Sequence, residues 1–457
     1  MPNAPHGHRS SPGDSDPVPV PPARPTVEEH LAEVRALLAP VLERWAAEAP
    51  ELVGIDDPGL LGRVTATPVR APHPLPPFDN SQMDGYAVRV SDLAGAAPGR
   101  PVGLPVGRAT AAGDPPAAHA PGTASPVMTG APIPAGADAV VPIEAATPAA
   151  FPQLSRAGDP APTGTVSFVA APAPGAFVRA TGVDVSAGAE LLPAGSALGP
   201  ARIGLLAAAG IAEVPVRRRI RVLLCSTGDE LAGSPATRDA DDPAGGGSVL
   251  APGRIHDANT PMLAAALRAA GAEVRGLRAP DRPDALRAAV LREAGDADLV
   301  VTSGGISAGA FEVVRETFAA LGARFRGIAM QPGGPQGLGT LAFDEARESI
   351  AAVCFPGNPV SALISAEVFL LPALRAAVGR AADRPRERRA LAHDVVSPAD
   401  KHQVRRGRIE DDGRVSLSAP GSHLLADLAG ADVLAHLPVG VDGLPEHAEI
   451  DVWRLDD

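Results

Sequence analysis

Apolar residues at Leu31, Val34, Leu37, Leu38, Val41 and Leu42 recur three and four apart behind Glu28 and Glu29, and this spacing predicts an amphipathic helix from about Thr26 to Ala49. The preceding Met1 to Pro25 is full of Pro, Ser, Gly and His and lacks an apolar core, so it reads as a disordered tail and not an export signal. Residues 68–175 are dense in Pro and Gly around short apolar segments such as Tyr86 to Val90 and Ala139 to Ile143, the pattern of a small β domain. Gly188 to Gly195 followed by Ile203 to Ala209 reads as a turn, a hairpin and a short helix, with a boundary near Arg217.

From Arg219 the pattern becomes apolar strands alternating with amphipathic helices, which predicts a parallel α/β sheet. Strands are expected at Ile220 to Cys225, Glu273 to Leu277, Asp298 to Thr302, Arg324 to Met330 and Ile350 to Phe355. Helices are expected at about Thr260 to Ala270, Pro283 to Ala294, Phe311 to Leu321 and Val360 to Val378. The acid- and Gly-rich stretch Arg238 to Ser248 interrupts the first crossover as a mobile loop. After Asp383, short alternating segments such as Val415 to Leu417 and Glu449 to Trp453 suggest a small β barrel or sandwich. The fold class is therefore α/β plus β and multi-domain. The expected division is a tail at 1–25, an elongated N-terminal region from 26–67 and 176–217, a β domain at 68–175, an α/β domain at 218–380 and a C-terminal β domain at 386–457.

Composition narrows the function. A chain of 457 residues exceeds one core, at roughly 100–200 residues per domain. Its 45% hydrophobic and 20% charged content is that of a soluble globular protein; apolar runs break before the roughly 20 residues of a membrane span, so a cytoplasmic location is expected. A formal net charge of -13 argues against nonspecific nucleic-acid binding, which needs clustered cations. The single lysine, Lys401, leaves nearly all cationic work to arginine and removes Walker-type phosphate binding and Schiff-base chemistry elsewhere. Cys225 and Cys354 are too few for a disulfide framework or zinc cluster and read as small core residues.

In an open parallel sheet the binding crevice lies beyond the carboxyl ends of the strands. There the chain places Ser226-Thr227-Gly228-Asp229-Glu230, Ser303-Gly304-Gly305-Ile306-Ser307-Ala308-Gly309 and Pro356-Gly357-Asn358-Pro359-Val360-Ser361, with Asp281 shortly after another strand. Glycines at such turns let backbone approach a ligand, and the helix start that follows suits oxyanions. An acid beside a phosphate repels it unless a cation lies between, and Mg²⁺ bridging Glu230 and Asp281 to phosphate oxygens would resolve that conflict. The plainer reading makes the glycines an ordinary strand–helix turn, Asp229 an N-cap and Glu230 a solvated first-turn acid.

The run Asp79-Asn80-Ser81-Gln82-Met83-Asp84-Gly85-Tyr86-Ala87-Val88, which holds the only tyrosine, resembles the signature of the molybdopterin molybdenumtransferase family, the MoeA and gephyrin E-domain group. Together with the three loops the resemblance covers 26–457. It implies an elongated region, a β domain with the signature, a molybdopterin-binding α/β domain and a C-terminal β domain, assembled as a homodimer in which Asp84 acts across the interface. It implies Mg²⁺-dependent conversion of adenylylated molybdopterin and molybdate into molybdenum cofactor and AMP, with handover to cofactor-biosynthesis proteins and molybdoenzymes. By motif match the family's essential groups are Asp84, Thr129, Glu230, Asp281 and Glu312. The matching substrate loops hold Ser226, Thr227, Gly228, Asp229, Ser303, Gly304, Gly305, Ser307, Gly309, Pro356, Gly357, Asn358, Pro359 and Ser361, and Arg406 and Ser422 face the anion. A molybdopterin adenylyltransferase and a non-catalytic molybdopterin-binding scaffold are the alternatives. A turn residue is the alternative reading of Asp84 before Gly85; without the family pattern Thr129 reads as capping a turn, and Arg406, beside Arg405 and Arg408, as part of a solvated edge.

The chain departs from the family pattern twice. Relatives carry two aspartates where Ala310 and Glu312 stand, and a Lys-Pro-Gly-Lys-Pro segment reads here Gln331-Pro332-Gly333-Gly334-Pro335, so both lysines are missing. Backbone N–H groups of Gly333 and Gly334, or Arg406, are the available substitutes.

Overall fold

The computed structural model describes residues 24–152, 154–156, 158–160, 162–232, 252–307, 309, 312–343 and 349–455. The expected loop Arg238 to Ser248 and nearly all of the expected N-terminal tail lie outside these residues. The chain divides into two compact units, one of Met1–Arg44, Ile220–Ala377 and Ala381–Asp457, the other of Trp45–Arg219 and Val378–Arg380. The first helix, Val27–Ala47, ends in the second unit, and Pro40 lies within it.

In the second unit, strands distant in sequence close on one another. Glu51–Gly54 pairs with Glu213–Val216, and Val69–Arg70 with Glu190–Leu192, over a core of Leu60, Leu192, Leu198, Leu206 and Val214. The hairpin expected at 188–195 is therefore not local: its strand pairs with residues about 120 positions earlier, because its apolar face finds a core there and not in its neighbour. The helix that follows, Pro200–Ala208, starts with Pro at its first position, where a missing N–H costs nothing. Between these pairs sit two three-stranded sheets. One is built on Gly85–Val88 between Ser125–Val127 and Ala139–Pro142, the other on Thr165–Phe168 between Val102–Pro105 and Ala146–Thr147. Tyr86 is fully buried in their shared core, edge-on to Phe151 and Phe168, with its hydroxyl donating to the Ala150 carbonyl at 3.2 Å. Gly85 has no room for a side chain, since an added Cβ would lie 2.2 Å from the Val141 carbonyl oxygen.

The first unit carries a six-stranded sheet in the order Ala272–Ala279, Ile220–Thr227, Leu299–Ser303, Ile350–Phe355, Pro335–Leu341, Arg324–Gly327. The first four run parallel, and their buried central strands read as continuous apolar runs because helices cover both faces. The all-parallel expectation needs correction, since Pro335–Leu341 runs antiparallel to both of its neighbours. Pattern reading misses that strand because its glycines look like a loop. They are required by close approach: an added Cβ on Gly337 would meet the Phe325 ring at 2.4 Å and one on Gly339 the Ala323 Cα at 2.6 Å. The expected single strand Arg324 to Met330 also divides, its last part, Met330–Gln331, leaving to pair with His402–Gln403 of the C-terminal sheet.

Helices Asn259–Ala269, Pro283–Glu293 and Val313–Ala320 cover the sheet within two residues of the expected spans. The long helix Pro359–Ala377 is long and apolar enough to cross a membrane but is mostly buried as a core helix, and its middle turn, Ala366–Leu370, is π-helical. C-terminal residues form a sheet ordered Met330–Gln331, His402–Ile409, Val433–Leu437, Glu449–Arg454, Arg386–Ala390, with Val415–Leu417 also on His402–Ile409. Its own core holds Leu391, Val415, Val433, Ala435 and Val452.

Candidate functional site

The strand Ile220–Thr227 lies between Ala272–Ala279, which follows it in sequence, and Leu299–Ser303, so the chain reverses direction of winding there and a crevice opens at the carboxyl ends. A cleft of about 300 Å³ occupies that position. Thr227, Gly228, Glu230, Asp281, Ser303, Gly304, Gly305, Glu312, Gly357 and Pro359 line it, so the three loops and Asp281 expected from the sequence converge. The loops touch: Gly304 N–H donates to the Phe355 carbonyl at 3.1 Å, and a Cβ on Gly357 would lie 3.1 Å from the Gly304 Cα. Gly304 and Gly305 have φ of 99° and 64°, a backbone that side chains disfavour.

The acids take different postures. Asp229 and Asp281 brace one another, the Asp229 N–H donating to Asp281 Oδ2 at 3.0 Å and the Asp281 N–H to Asp229 Oδ1 at 3.3 Å. Burial pushes the Asp281 carboxyl above its ordinary value; the Asp229 N–H opposes this, and the nearby charges of Asp229, Glu230 and Glu312 add to the rise. Glu312 accepts from the Ser307 N–H at 2.8 Å and the Gly309 N–H at 3.3 Å, so its carboxylate tethers the glycine loop. Among the described residues no three His, Cys, Asp or Glu side chains are grouped to hold a metal ion unaided.

Sequence reading missed one segment of the cleft, His256, Asp257, Ala258 and Asn259. Asp257 accepts from the Thr260 N–H at 3.0 Å and its hydroxyl at 2.6 Å, and Ser226 lies 2.6 Å from that hydroxyl. Asn259 donates to the Gly357 carbonyl at 2.7 Å, which leaves its Oδ1 buried and without a partner among the described residues. Thr227 Oγ1 and Ser303 Oγ are likewise buried and unpartnered. The Asp-x-Asn spacing just before a helix was the available signal, hidden because it follows a two-residue strand, Ile255–His256, too short for any periodicity.

Other expected site residues stand outside this lining. Asn358 caps its helix, accepting from the N–H groups of Val360 at 3.1 Å and Ser361 at 3.3 Å, and Ser361 is buried behind it. Pro356 is also buried, Ser307 and Gly309 are exposed, and Ser422 is half-buried. Arg406 is no solvated edge. It is fully buried, donating from Nη2 to the carbonyls of Ala419 at 2.8 Å and Gly421 at 3.0 Å, while its Nε and Nη1 have no partner among the described residues. Such donors are costly to bury unless something satisfies them. In the second unit Asp84 and Thr129 come together: Asp84 Oδ1 accepts from the Thr129 N–H at 2.7 Å and its hydroxyl at 2.8 Å. Those two bonds, the backbone one first, hold the exposed Asp84 carboxyl below its usual value.

Comparison with known proteins assigns these parts to one family. Residues 25–210 match the MoeA N-terminal region (domain I and II), 224–376 a probable molybdopterin binding domain, and 388–455 the MoeA C-terminal region (domain IV). The chain is 42% identical over 414 residues to molybdopterin molybdenumtransferase 2 of Mycobacterium tuberculosis, covering 86% of this chain and 93% of the relative. It is 35% identical over 406 residues to the molybdopterin molybdenumtransferase of a Nostoc species, covering 86% of each. A crystal structure of a MoeA protein from Pyrococcus horikoshii superposes with a TM-score of 0.70 at 29% identity, over 92% of this chain and 99% of that one. The acid-lined cleft thus sits in the matched molybdopterin-binding segment, the Asp84–Thr129 pair in the matched N-terminal segment, and the chain belongs to the molybdopterin molybdenumtransferase family.

Proposed function

We propose that the chain inserts molybdenum into molybdopterin, taking adenylylated molybdopterin and molybdate to molybdenum cofactor and AMP. The observation that carries this reading is the cleft itself, where carboxylates meet the unpartnered buried polar atoms of Thr227, Ser303 and Asn259 beside a glycine-lined backbone. Thr227 and Ser303 hydroxyls donate to phosphate oxygens, and Asn259 Oδ1 accepts a ligand N–H or O–H, each satisfying an atom otherwise buried without a partner.

The residues fit Mg²⁺ by donor chemistry. Oxygen-rich carboxylates such as Glu230 and Asp281 are what this ion takes, and it binds through one or two of them plus substrate phosphates, consistent with a set that is not pre-assembled. When bound, Mg²⁺ neutralises charge developing on the phosphoanhydride oxygens. Around it the chain's own groups orient the ligand: Glu312 fixes the glycine loop, the Asp229–Asp281 brace fixes the acid, and Asn259 ties the Gly357 loop to the next helix. Asp84, oriented by Thr129, is the acid supplied from the partner in a homodimer.

The test is AMP release by purified protein from adenylylated molybdopterin, molybdate and Mg²⁺. Glu230→Ala is expected to lower kcat by about 100-fold or more, the size typical of losing a group aimed at developing charge. Unchanged release would remove Glu230 from the chemistry. An adenylyltransferase reading is disfavoured by matches at 25–210 and 388–455, well outside the α/β domain that such a step would use.

A further inference from the structure

Among its described lining residues the cleft holds acids but no arginine or lysine, although a phosphate-bearing ligand needs positive charge. A second cavity, of about 310 Å³, shares Gly228 with the cleft as a lining residue. Its lining is Gly228, Asp229, Arg254, Arg278, Ala279 and Pro280. Arg278 stands near the carboxyl end of Ala272–Ala279, and Arg254 just ahead of Ile255–His256.

The two guanidinium groups are held together. Arg254 Nη2 donates to the Leu231 carbonyl at 2.8 Å, and Arg278 Nη2 donates to the same oxygen. Two donors converging on one oxygen place like charges within about 6 Å of each other. A single neutral carbonyl does not offset their repulsion. Asp229, the one acid among the described lining residues, is engaged by the Asp281 N–H, so the described lining sets two cations against one acid. Gly228 has no room for a side chain: its φ is 148°, and a Cβ there would meet the Glu230 carboxylate at 2.6 Å.

We propose that Arg254 and Arg278 form an anion subsite contiguous with the acidic cleft, and that it takes a phosphate monoester. Two convergent guanidinium forks match phosphate oxygens in geometry as well as charge. The ligand's identity rests on the molybdenumtransferase reading, in which the group is the phosphate of the departing nucleotide, an ester that gains negative charge when the anhydride breaks. The acidic cleft and the arginine cavity then divide the work, one facing the cation and the other the released anion.

Calorimetric titration of the full-length protein with AMP, adenosine and inorganic phosphate tests this, with EDTA present so that no metal bridges the cleft acids. AMP is expected to bind at least 10-fold more tightly than adenosine. Arg254→Ala with Arg278→Ala should weaken AMP at least 10-fold, abolish phosphate binding and make AMP and adenosine equal. A two-charge control, Arg292→Ala with Arg388→Ala at exposed positions, should bind as the parent does. Thermal melts establish folding, and should the double variant unfold, single variants each losing several-fold carry the same comparison. AMP and phosphate binding unchanged in the variants, or absent from the parent, overturns the subsite. If the parent releases no AMP from adenylylated substrate yet loses phosphate binding with the arginines, the transferase reading fails and the subsite stands.

Discussion

Asp281 shows at the scale of one residue how the cleft stores electrostatic tension. Its folded pKa is raised by burial and by neighbouring acids, so it penalises the fold once pH climbs above the unfolded carboxylate value near 4, and the penalty is complete above its folded value. Asp281→Asn should therefore raise the melting temperature at pH 7, by an amount on the order of 1 °C because the side chain is only half-buried. The gain should vanish as pH falls toward 4, and a variant less stable at pH 7 would contradict it. Gln331 and Gly334 make the second residue-scale point. Gln331 Oε1 accepts from the Gln403 amide at 2.9 Å, while a Cβ on Gly334 would meet only the Met330 carbonyl at 3.4 Å and the Ile328 carbonyl at 3.6 Å. Room for a Cβ at the family's second lysine position therefore exists. Gln331→Lys with Gly334→Lys should lower the KM for molybdate by about 10-fold or more, given roughly 1.5–3 kcal/mol per charged hydrogen bond, with kcat little changed.

Among elements, the helix Pro359–Ala377 is a mostly buried core helix of the first unit. Its π turn carries Glu367, 3% exposed, which Arg384 grips through Nε at 3.0 Å and Nη2 at 2.8 Å and Arg375 through Nη2 at 2.9 Å. Burial would raise this carboxyl, but the two arginines hold it below its ordinary value. Its pairing therefore stabilises the fold above the unfolded carboxylate pKa and is lost as pH falls through the lower folded one. Glu367→Gln strands two buried cations and should cost about 3–5 kcal/mol at pH 7, read as a lower urea midpoint. An unchanged midpoint would mean the cluster is a bystander. The same helix explains the clean reading of its start: Pro359 at the first turn behind the Asn358 cap is a sequence signal with a local cause.

For the whole molecule, Asp84 and Glu230 lie in different compact units, and the proposed homodimer makes a site from one of each. Inactive Asp84→Ala and Glu230→Ala proteins, mixed after mild dissociation, should regain AMP release. Random reassociation makes half of the dimers mixed, each with one intact site of two, so about a quarter of parent activity is expected. No recovery under conditions where subunits demonstrably exchange would place both acids in one chain.

The sequence by itself determined whatever depends on neighbours along the chain. Alternation of apolar runs located the parallel strands and their helices, and glycine turns after strands located three arms of the cleft. Tertiary structure decided what depends on residues far apart. The antiparallel Pro335–Leu341 was hidden because its glycines are set by the Phe325 ring and the Ala323 backbone and not by a turn. Tyr86, conspicuous as the only tyrosine, proved to be core, while its neighbour Asp84 was fixed by Thr129, 45 positions away. Arg406 changed from a basic edge to a buried donor because its surroundings come from Ala419 and Gly421. The Asp257–Asn259 arm and the Arg254–Arg278 pair had no periodic signal at all. They exist as features only because folding brings Gly357 to Asn259 and Leu231 to both arginines.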